Sequence, residues 1–219
     1  MDEKMTVVLA TTNAGKVREL AGPLGELGVN LVGLDAFPEV GEIVEDGHTF
    51  SENAYIKAST VARKTGLASI ADDSGLQVAA LSGRPGVYSA RYGDDWDHRE
   101  GESRDMRNMR KLLAEMAAVP AARRQARFVC CMVAVMPGHV SPDEALVVEG
   151  RWNGFILEAP VGANGFGYDP VFRDPELTVS AAQLTREEKG ARSHRGRAVR
   201  ALVAGWGNWV AAMRSLSAE

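Results

Sequence analysis

Residues 70–93 read IADDSGLQVAALSGRPGVYSARYG. The apolar run 67–71 stops at two adjacent carboxylates, Asp72 and Asp73, followed by Ser74 and Gly75, so a short buried strand is expected to end in acid. In α/β sheets ligands gather at the carboxyl ends of strands, and a strand tip carrying Asp-Asp-Ser-Gly is suited to a divalent cation, a hard ion that takes oxygen ligands. Asp, Ser and Gly are also ordinary turn residues, and spacing alone does not separate a turn from a site. The second half of the stretch favours a site. Gly83, Pro85 and Gly86 punctuate the run, and Tyr88, Ser89, Arg91 and Tyr92 put polar tips and a cation on a rigid loop.

Upstream, residues 6–10, TVVLA, read as a buried first strand. They run into the polar loop TTNAGK, 11–16, after which Val17, Leu20, Ala21, Leu24 and Leu27 recur at helical spacing until Gly28. Strand, polar loop and helix in that order point backbone amides and a positive helix end at an anion. Lys16 falls in the first turn, where a solvated lysine gains nothing from the dipole. The spacing is not that of a Walker A loop, and a capped helix with a surface lysine accounts for the same residues. Residues 30–34 form a second strand, and 37–47 an acidic loop with Glu39, Glu42, Glu45 and Asp46. A helix then starts near GHTFSENAYIKA, capped by Thr49 or Ser51, with Ala54, Ala58, Val61 and Ala62 on its buried face. Asn53 and Lys57, four apart, share one side of it.

Downstream, residues 94–104, DDWDHREGESR, form a charged, mobile loop. Met106, Met109, Leu112, Leu113 and Met116 mark an amphipathic helix whose methionines belong to the core. Arg123, Arg124 and Arg127 read as a solvated basic face. Residues 126–136 and 145–152 are two long strands joined around PGHVSPDE, and 152–156 continue or bend the second. GANGFGYDPVF, 162–172, crowds glycines around Phe166, which permits close backbone approach to a ligand. LTREEK and SHRGRA come next in the chain. Val199, Leu202, Val203, Trp206, Val210 and Met213 then define a last amphipathic helix that starts close to His194 and Arg195.

Composition narrows the function. The 219 residues are 45% hydrophobic, enough to bury a sizeable core, and no Pro/Gly/Ser-rich linker divides them. A net charge of −4 argues against a nucleic-acid binder, which needs a basic face. The start is acidic and its apolar run short, so no signal peptide is expected. The longest apolar run, 128–136, is far below the roughly 20 residues that span a bilayer. Cys130 and Cys131 are adjacent in a strand and point to opposite faces, so they read as free thiols of a reducing, cytoplasmic compartment. The four histidines have no metal-ligand spacing.

ADDSGL followed by GRPGVYSARYG resembles the central signature of the inosine triphosphate pyrophosphatase family, whose members hydrolyse noncanonical purine nucleoside triphosphates. Four further stretches are similar to family motifs, in the family's order: TTNAGK, TFSENAYIKA, NGFGYDPVF, and LTREEK with SHRGRA. The chain departs at Thr12, where a glycine is common, at Val44, where a second acid is often found, and in the longer loop 94–104. The resemblance implies one domain over residues 1–219, an α/β fold with a long twisted mixed sheet flanked by helices, and an active-site cleft between two lobes. It implies Asp73 as general base and metal ligand, Glu45 as second ligand of a Mg²⁺ ion, Asp72 as a helper, and Lys16 and Lys57 as the phosphate clamp. Thr11, Thr12, Asn13 and Ser74 line the substrate, Phe166 stacks on the purine, Gly167, Tyr168 and Asp169 shape the pocket, and Lys189, His194 and Arg195 read the base edge. The expected products are the nucleoside monophosphate and pyrophosphate, from ITP, dITP or XTP, and the expected assembly is a homodimer with no nucleic-acid or membrane partner. A nucleotide-sensing module and a pyrophosphatase of pyrimidine preference would use the same pocket. The sensor has no need for Asp73 together with both lysines.

Overall fold

The computed structural model describes residues 4–216, and the acidic opening residues Asp2 and Glu3 lie outside it. In chain order the regular elements are β1 (Met5–Leu9), α1 (Ala14–Gly25), β2 (Val29–Gly33), α2 (Phe50–Thr65), β3 (Ala68–Val78), α3 (Arg104–Glu115), β4 (Gln125–Val135), β5 (Leu146–Ile156), β6 (Phe172–Arg173), α4 (Arg186–Arg192) and α5 (His194–Leu216). The strands form one six-stranded sheet in the order β2-β1-β3-β4-β5-β6. It is mixed: β1 pairs parallel with both β2 and β3, whereas β5 pairs antiparallel with β6.

The chain divides into two compact units. One holds the chain up to Asp73, residues 131–149, and everything from Ala198 onward; the other holds residues 74–130 and 150–197. Each passage between them falls inside a strand or helix, in β3, β4, β5 and α5.

In the first unit the parallel order β2-β1-β3 reverses the direction of chain progress at β1. Right-handed crossovers then put α1 and α2 on opposite faces, and the β1/β3 boundary becomes a topological switch point. Packing agrees: Val8 shares an apolar cluster with Val61 of α2, and Ser69 Oγ donates to Ala58 O of α2 at 2.5 Å. Thr49 caps α2 with a full capping box, its side chain accepting from Glu52 N while Glu52 reaches back to the Thr49 amide. Ala54, Ala58, Val61 and Ala62 are buried, as their spacing predicts. α1 stops at Gly25 rather than running to Gly28. Pro23 has no N–H to donate in that last turn, and the chain leaves through i→i+3 bonds from Leu27 and Gly28.

The second unit is centred on aromatic packing. Phe128 lies 4.5 Å from Phe172 and 6.3 Å from Trp152, centroid to centroid, amid Leu76, Leu112, Met116 and Tyr168. Three expectations change here. Arg124 is not part of a solvated face: it is 4% exposed, and its guanidinium donates to the carbonyls of Ile156, Met116, Val119 and Leu157. Its three-carbon stem packs while the fork satisfies two buried and two part-buried backbone carbonyls. Met106 is exposed, although Leu112 and Met116 are fully buried. The charged segment 94–104 is fastened to α3 rather than free. Asp94 pairs with Arg104 and Arg107, Asp95 with Lys111, and Asp97 and Glu102 with Arg110, whose guanidinium stacks 4.9 Å over the Trp96 ring. The bond from Arg110 lowers the Glu102 carboxyl to about 2 despite opposing desolvation.

Candidate active site

The strand β3 does not end at Asp72 and Asp73, as the polar run suggests, but continues through Asp72-Asp73-Ser74-Gly75 to Val78. Successive strand residues face opposite ways, so the two carboxylates address different helices. Asp72, buried, accepts from Lys16 Nζ of α1 through both oxygens at 2.9 Å. Asp73 accepts from Asn53 Nδ2 of α2 at 3.0 Å and has Lys57 Nζ 3.9 Å from its other oxygen. Gly75 completes the stretch because a Cβ there would collide with Ser89 Oγ, and that hydroxyl accepts from Leu76 N at 2.8 Å. A turn is therefore excluded. Side chains from distant helices satisfy the acids, and the backbone stays in the ladder.

The first unit thus gathers Lys16, Glu45, Asn53, Lys57, Asp72 and Asp73. Lys57 Nζ donates to Glu45 Oε2 at 2.8 Å, so one ammonium lies between the carboxylates of Glu45 and Asp73. Asn13 caps α1, its Oδ1 accepting from Gly15 N at 2.8 Å and Lys16 N at 3.3 Å, while Thr11 Oγ1 accepts from Asn13 N. Thr12 is exposed in the same loop. Asn53 is the residue that sequence reasoning placed beside Lys57 on one side of α2 and gave no role. It is 1% exposed, accepts from Gly47 N at 2.9 Å, and so links the loop bearing Glu45 to Asp73. Its signal was an amide next to Ala54 on the buried side of an amphipathic helix, where polar groups are kept only when bonded.

The second unit holds the remaining candidates. Phe166 is 65% exposed, with Lys189 Nζ 4.9 Å over its ring. Lys189 also ion-pairs with Asp169, and Asp169 Oδ2 accepts from Phe166 N at 2.9 Å. Asp169 is buried and braces its own loop, a role more internal than lining a pocket. Gly165, at φ +80°, could not carry a Cβ, which would run into that Asp169 oxygen. Tyr168 is in the core, its hydroxyl donating to Ser89 O at 2.9 Å; burial pushes its pKa up, which keeps it a donor. Gly167 N donates to Asp105 Oδ2 at 2.8 Å. His194 is buried and stacks on Phe128 with centroids 4.9 Å apart and planes 16° apart. Arg195 Nη2 donates to Ser74 Oγ at 3.4 Å, which brings these two candidates together.

One cluster therefore presents two ammonium groups and three carboxylates beside a helix N-terminus, which suits polyphosphate chemistry. The second unit presents an exposed aromatic face under a lysine and, separately, an arginine bonded to Ser74 of β3, groups that suit a flat heterocycle with acceptor oxygens. A sequence model of the Ham1 family matches residues 7–205. A dITP/XTP pyrophosphatase of Nitratidesulfovibrio vulgaris is 56% identical over 203 residues, covering 93% of this chain and 96% of that one. A dITP/XTP pyrophosphatase of Shigella flexneri is 48% identical over 197 residues, covering 90% and 95%. Among solved structures, a HAM1 protein from Coxiella burnetii aligns with a TM-score of 0.83 at 38% identity, over 93% of this chain and 99% of that one. A nucleoside-triphosphatase, dITP/XTP pyrophosphatase, from Mycobacterium abscessus aligns at 0.74 and 46% identity, over 90% and 98%.

Proposed function

This chain belongs to the Ham1 family, and on that premise we propose that it hydrolyses the noncanonical purine nucleoside triphosphates ITP, dITP and XTP to the nucleoside monophosphate and pyrophosphate. The observation that carries the reading is the pairing of two lysines, Lys16 and Lys57, with the adjacent carboxylates of one strand. A sensor would need only cations; a hydrolase also needs a carboxylate beside them to take a proton.

In this reading Lys16 and Lys57 exchange their carboxylate partners for phosphate oxygens when the substrate enters. Thr11, Thr12, Asn13 and the N-terminus of α1 line the polyphosphate. Water attacks the α-phosphorus in line, its proton passes to Asp73, the α–β bridging P–O bond breaks, and pyrophosphate leaves. Asn53 holds the Asp73 carboxylate in orientation through its 3.0 Å bond. The donor chemistry fits Mg²⁺: Glu45 and Asp73 are hard oxygen donors on either side of one ammonium, and Mg²⁺ bound with phosphates needs only one or two carboxylates. Among the described residues no group of three or more acidic, His or Cys side chains offers an alternative cage. Glu45 and Asp73 would hold the ion, which supplies neutralisation of phosphate charge.

Phe166 stacks on the purine, Lys189 and His194 read the base edge, Ser74 lines the substrate, and Gly167, Tyr168 and Asp169 shape the pocket from behind by bracing the loop that presents Phe166. Arg195 donates to the C6 oxygen of hypoxanthine or xanthine, which adenine replaces with an amino group. Leaving a buried donor unpaired can discriminate by about 10⁴-fold. We read the protein as a cytoplasmic homodimer without nucleic-acid or membrane partners. The net charge of −4 and two buried cysteines support the compartment and the lack of polyanion binding, no helix among the described residues is long and apolar enough to cross a membrane, and the dimer follows from the family resemblance.

The test is pyrophosphate release from ITP, XTP, ATP and GTP with Mg²⁺, run beside Asp73→Asn. Release from ITP and XTP, lost in the variant, is expected. Comparable release from ATP would overturn the base assignment, and tight ITP binding without turnover would favour a sensor.

A further inference from the structure

We propose that Asp105, in the first turn of α3, is a positioning residue for base binding: by accepting from Gly167 N it holds the loop that presents Phe166. The proposal rests on the reading of Phe166 as the base-stacking residue.

Phe166 is exposed, with a lysine above its ring, so core packing does little to fix the ring direction. Its position is set by its loop, which is pinned at three consecutive residues, twice through the backbone and once through a side chain. Phe166 N donates to Asp169 Oδ2 at 2.9 Å, Gly167 N to Asp105 Oδ2 at 2.8 Å, and Tyr168 OH to Ser89 O at 2.9 Å. The first pin is internal to the loop and moves with it. The other two tie it to the rest of the unit. They share one support, since buried Asn108 of α3 donates to Ser89 O and Ala90 O and accepts from Gly93 N at 2.6 Å. α3 is itself anchored by Leu112 in the core. Asp105 is thus a carboxylate on a fixed platform, clamping the amide next to the stacking ring, and Gly167 at φ +61° has no side chain of its own to brace the turn.

A merely structural part for Asp105 exists, because an acid in the first turn stabilises a helix through its dipole. Asparagine separates the two: it loses the charge but keeps an acceptor oxygen. In the full chain, Asp105→Ala should raise KM for ITP and Ki for its product IMP about 3- to 10-fold, the worth of one hydrogen bond. Here kcat should stay within about twofold and Ki for pyrophosphate, which has no base, should not move. Asp105→Asn should restore KM and Ki for IMP while sharing any loss of Tm. The proposal is overturned if Asp105→Ala lowers Tm alone, or if Ala and Asn raise KM equally. Phe166→Ala is the companion control. If it leaves Ki for IMP unchanged, the base-stacking reading fails and this proposal with it; if it raises that Ki while Asp105→Ala does not, only the positioning proposal falls.

Discussion

Asn53→Asp replaces one nitrogen by oxygen and keeps the shape of the side chain. Its Oδ1 still accepts from Gly47 N, but the atom 3.0 Å from Asp73 Oδ2 changes from donor to anion. Two unit charges at that separation repel by ~5 kcal/mol at an effective dielectric of about 20. At 1.36 kcal/mol per unit this sets a ceiling of about four units on the pKa rise of the pair. Lys57 Nζ, 3.9 Å from the other Asp73 oxygen, offsets part of the repulsion, so a rise of about two units is expected. The sign is fixed: like charge raises the pKa, the pair keeps a proton to higher pH, and a carboxyl that holds a proton cannot accept one from water. The acid limb of kcat/KM for dITP should therefore move up by about two pH units, with activity recovered on the alkaline side. Pyrophosphate release followed from pH 5 to 10 measures it. Asn53→Ala, which removes the donor without adding charge, should lower activity and move the limb up by much less than Asn53→Asp does. A folded Asn53→Asp enzyme whose limb coincides with wild type, or moves down, would refute the placement of Asp73 as proton acceptor.

Other variants probe separate parts of the structure. Lys57→Gln removes the ammonium between Glu45 and Asp73, so calorimetry should find tighter Mg²⁺ binding to the nucleotide-free protein together with a raised KM for the triphosphate; weaker binding would contradict the two-carboxylate assignment. Arg124→Leu strips two buried and two part-buried carbonyls of a charged donor and should cost about 4 kcal/mol, a fall in Tm of roughly 10 °C; a loss under 1 kcal/mol would mean water replaces it. Asp174 is buried, which raises its pKa, but donors from Leu177 N, the Trp152 indole and Glu176 N outweigh this and hold it below the usual carboxylate range. A depressed pKa contributes stability that is present above about pH 4 and is lost as pH falls through the folded value. The Tm gap between wild type and Asp174→Asn should accordingly narrow from pH 7 to pH 3, and a gap independent of pH would show that the charge plays no part.

What could be read from sequence was whatever has a local period. The buried face of α2, a cap at Thr49 or Ser51, the first two strands and the last amphipathic helix all declare themselves within a dozen residues. What failed depended on partners far away in the chain. Asp72 is stable inside a strand because Lys16 lies 56 residues upstream, and no local pattern distinguishes that from a turn. Arg124 sits in a basic run, yet its carbonyl partners are 5 to 33 residues distant. The segment 94–104 has acids and no hydrophobic period, so its attachment to α3 through Arg107, Arg110 and Lys111 leaves no trace in either stretch alone. For the candidate site, the motifs carried the lysines, the carboxylates and Phe166, but gave no role to Asn53, which bonds Asp73, or to Asp105, which bonds the loop of Phe166.

The placing of Asp72 and Asp73 on successive residues of β3 also governs which changes of chain length the protein can tolerate. Side-chain direction in a strand has a period of two, so one residue inserted between β1's partner Ile70 and Asp72 turns both acids over together. Lys16 and Lys57 would each meet the wrong neighbour, and the apolar residues beyond, Leu76 and Val78, would leave their core. The tip of the connection between β4 and β5, exposed at 141–143, is under no such phase constraint, and lengthening it costs only a little loop entropy. Insertions and deletions in descendants of this sequence should therefore collect in such connections, while β3 drifts by substitution alone.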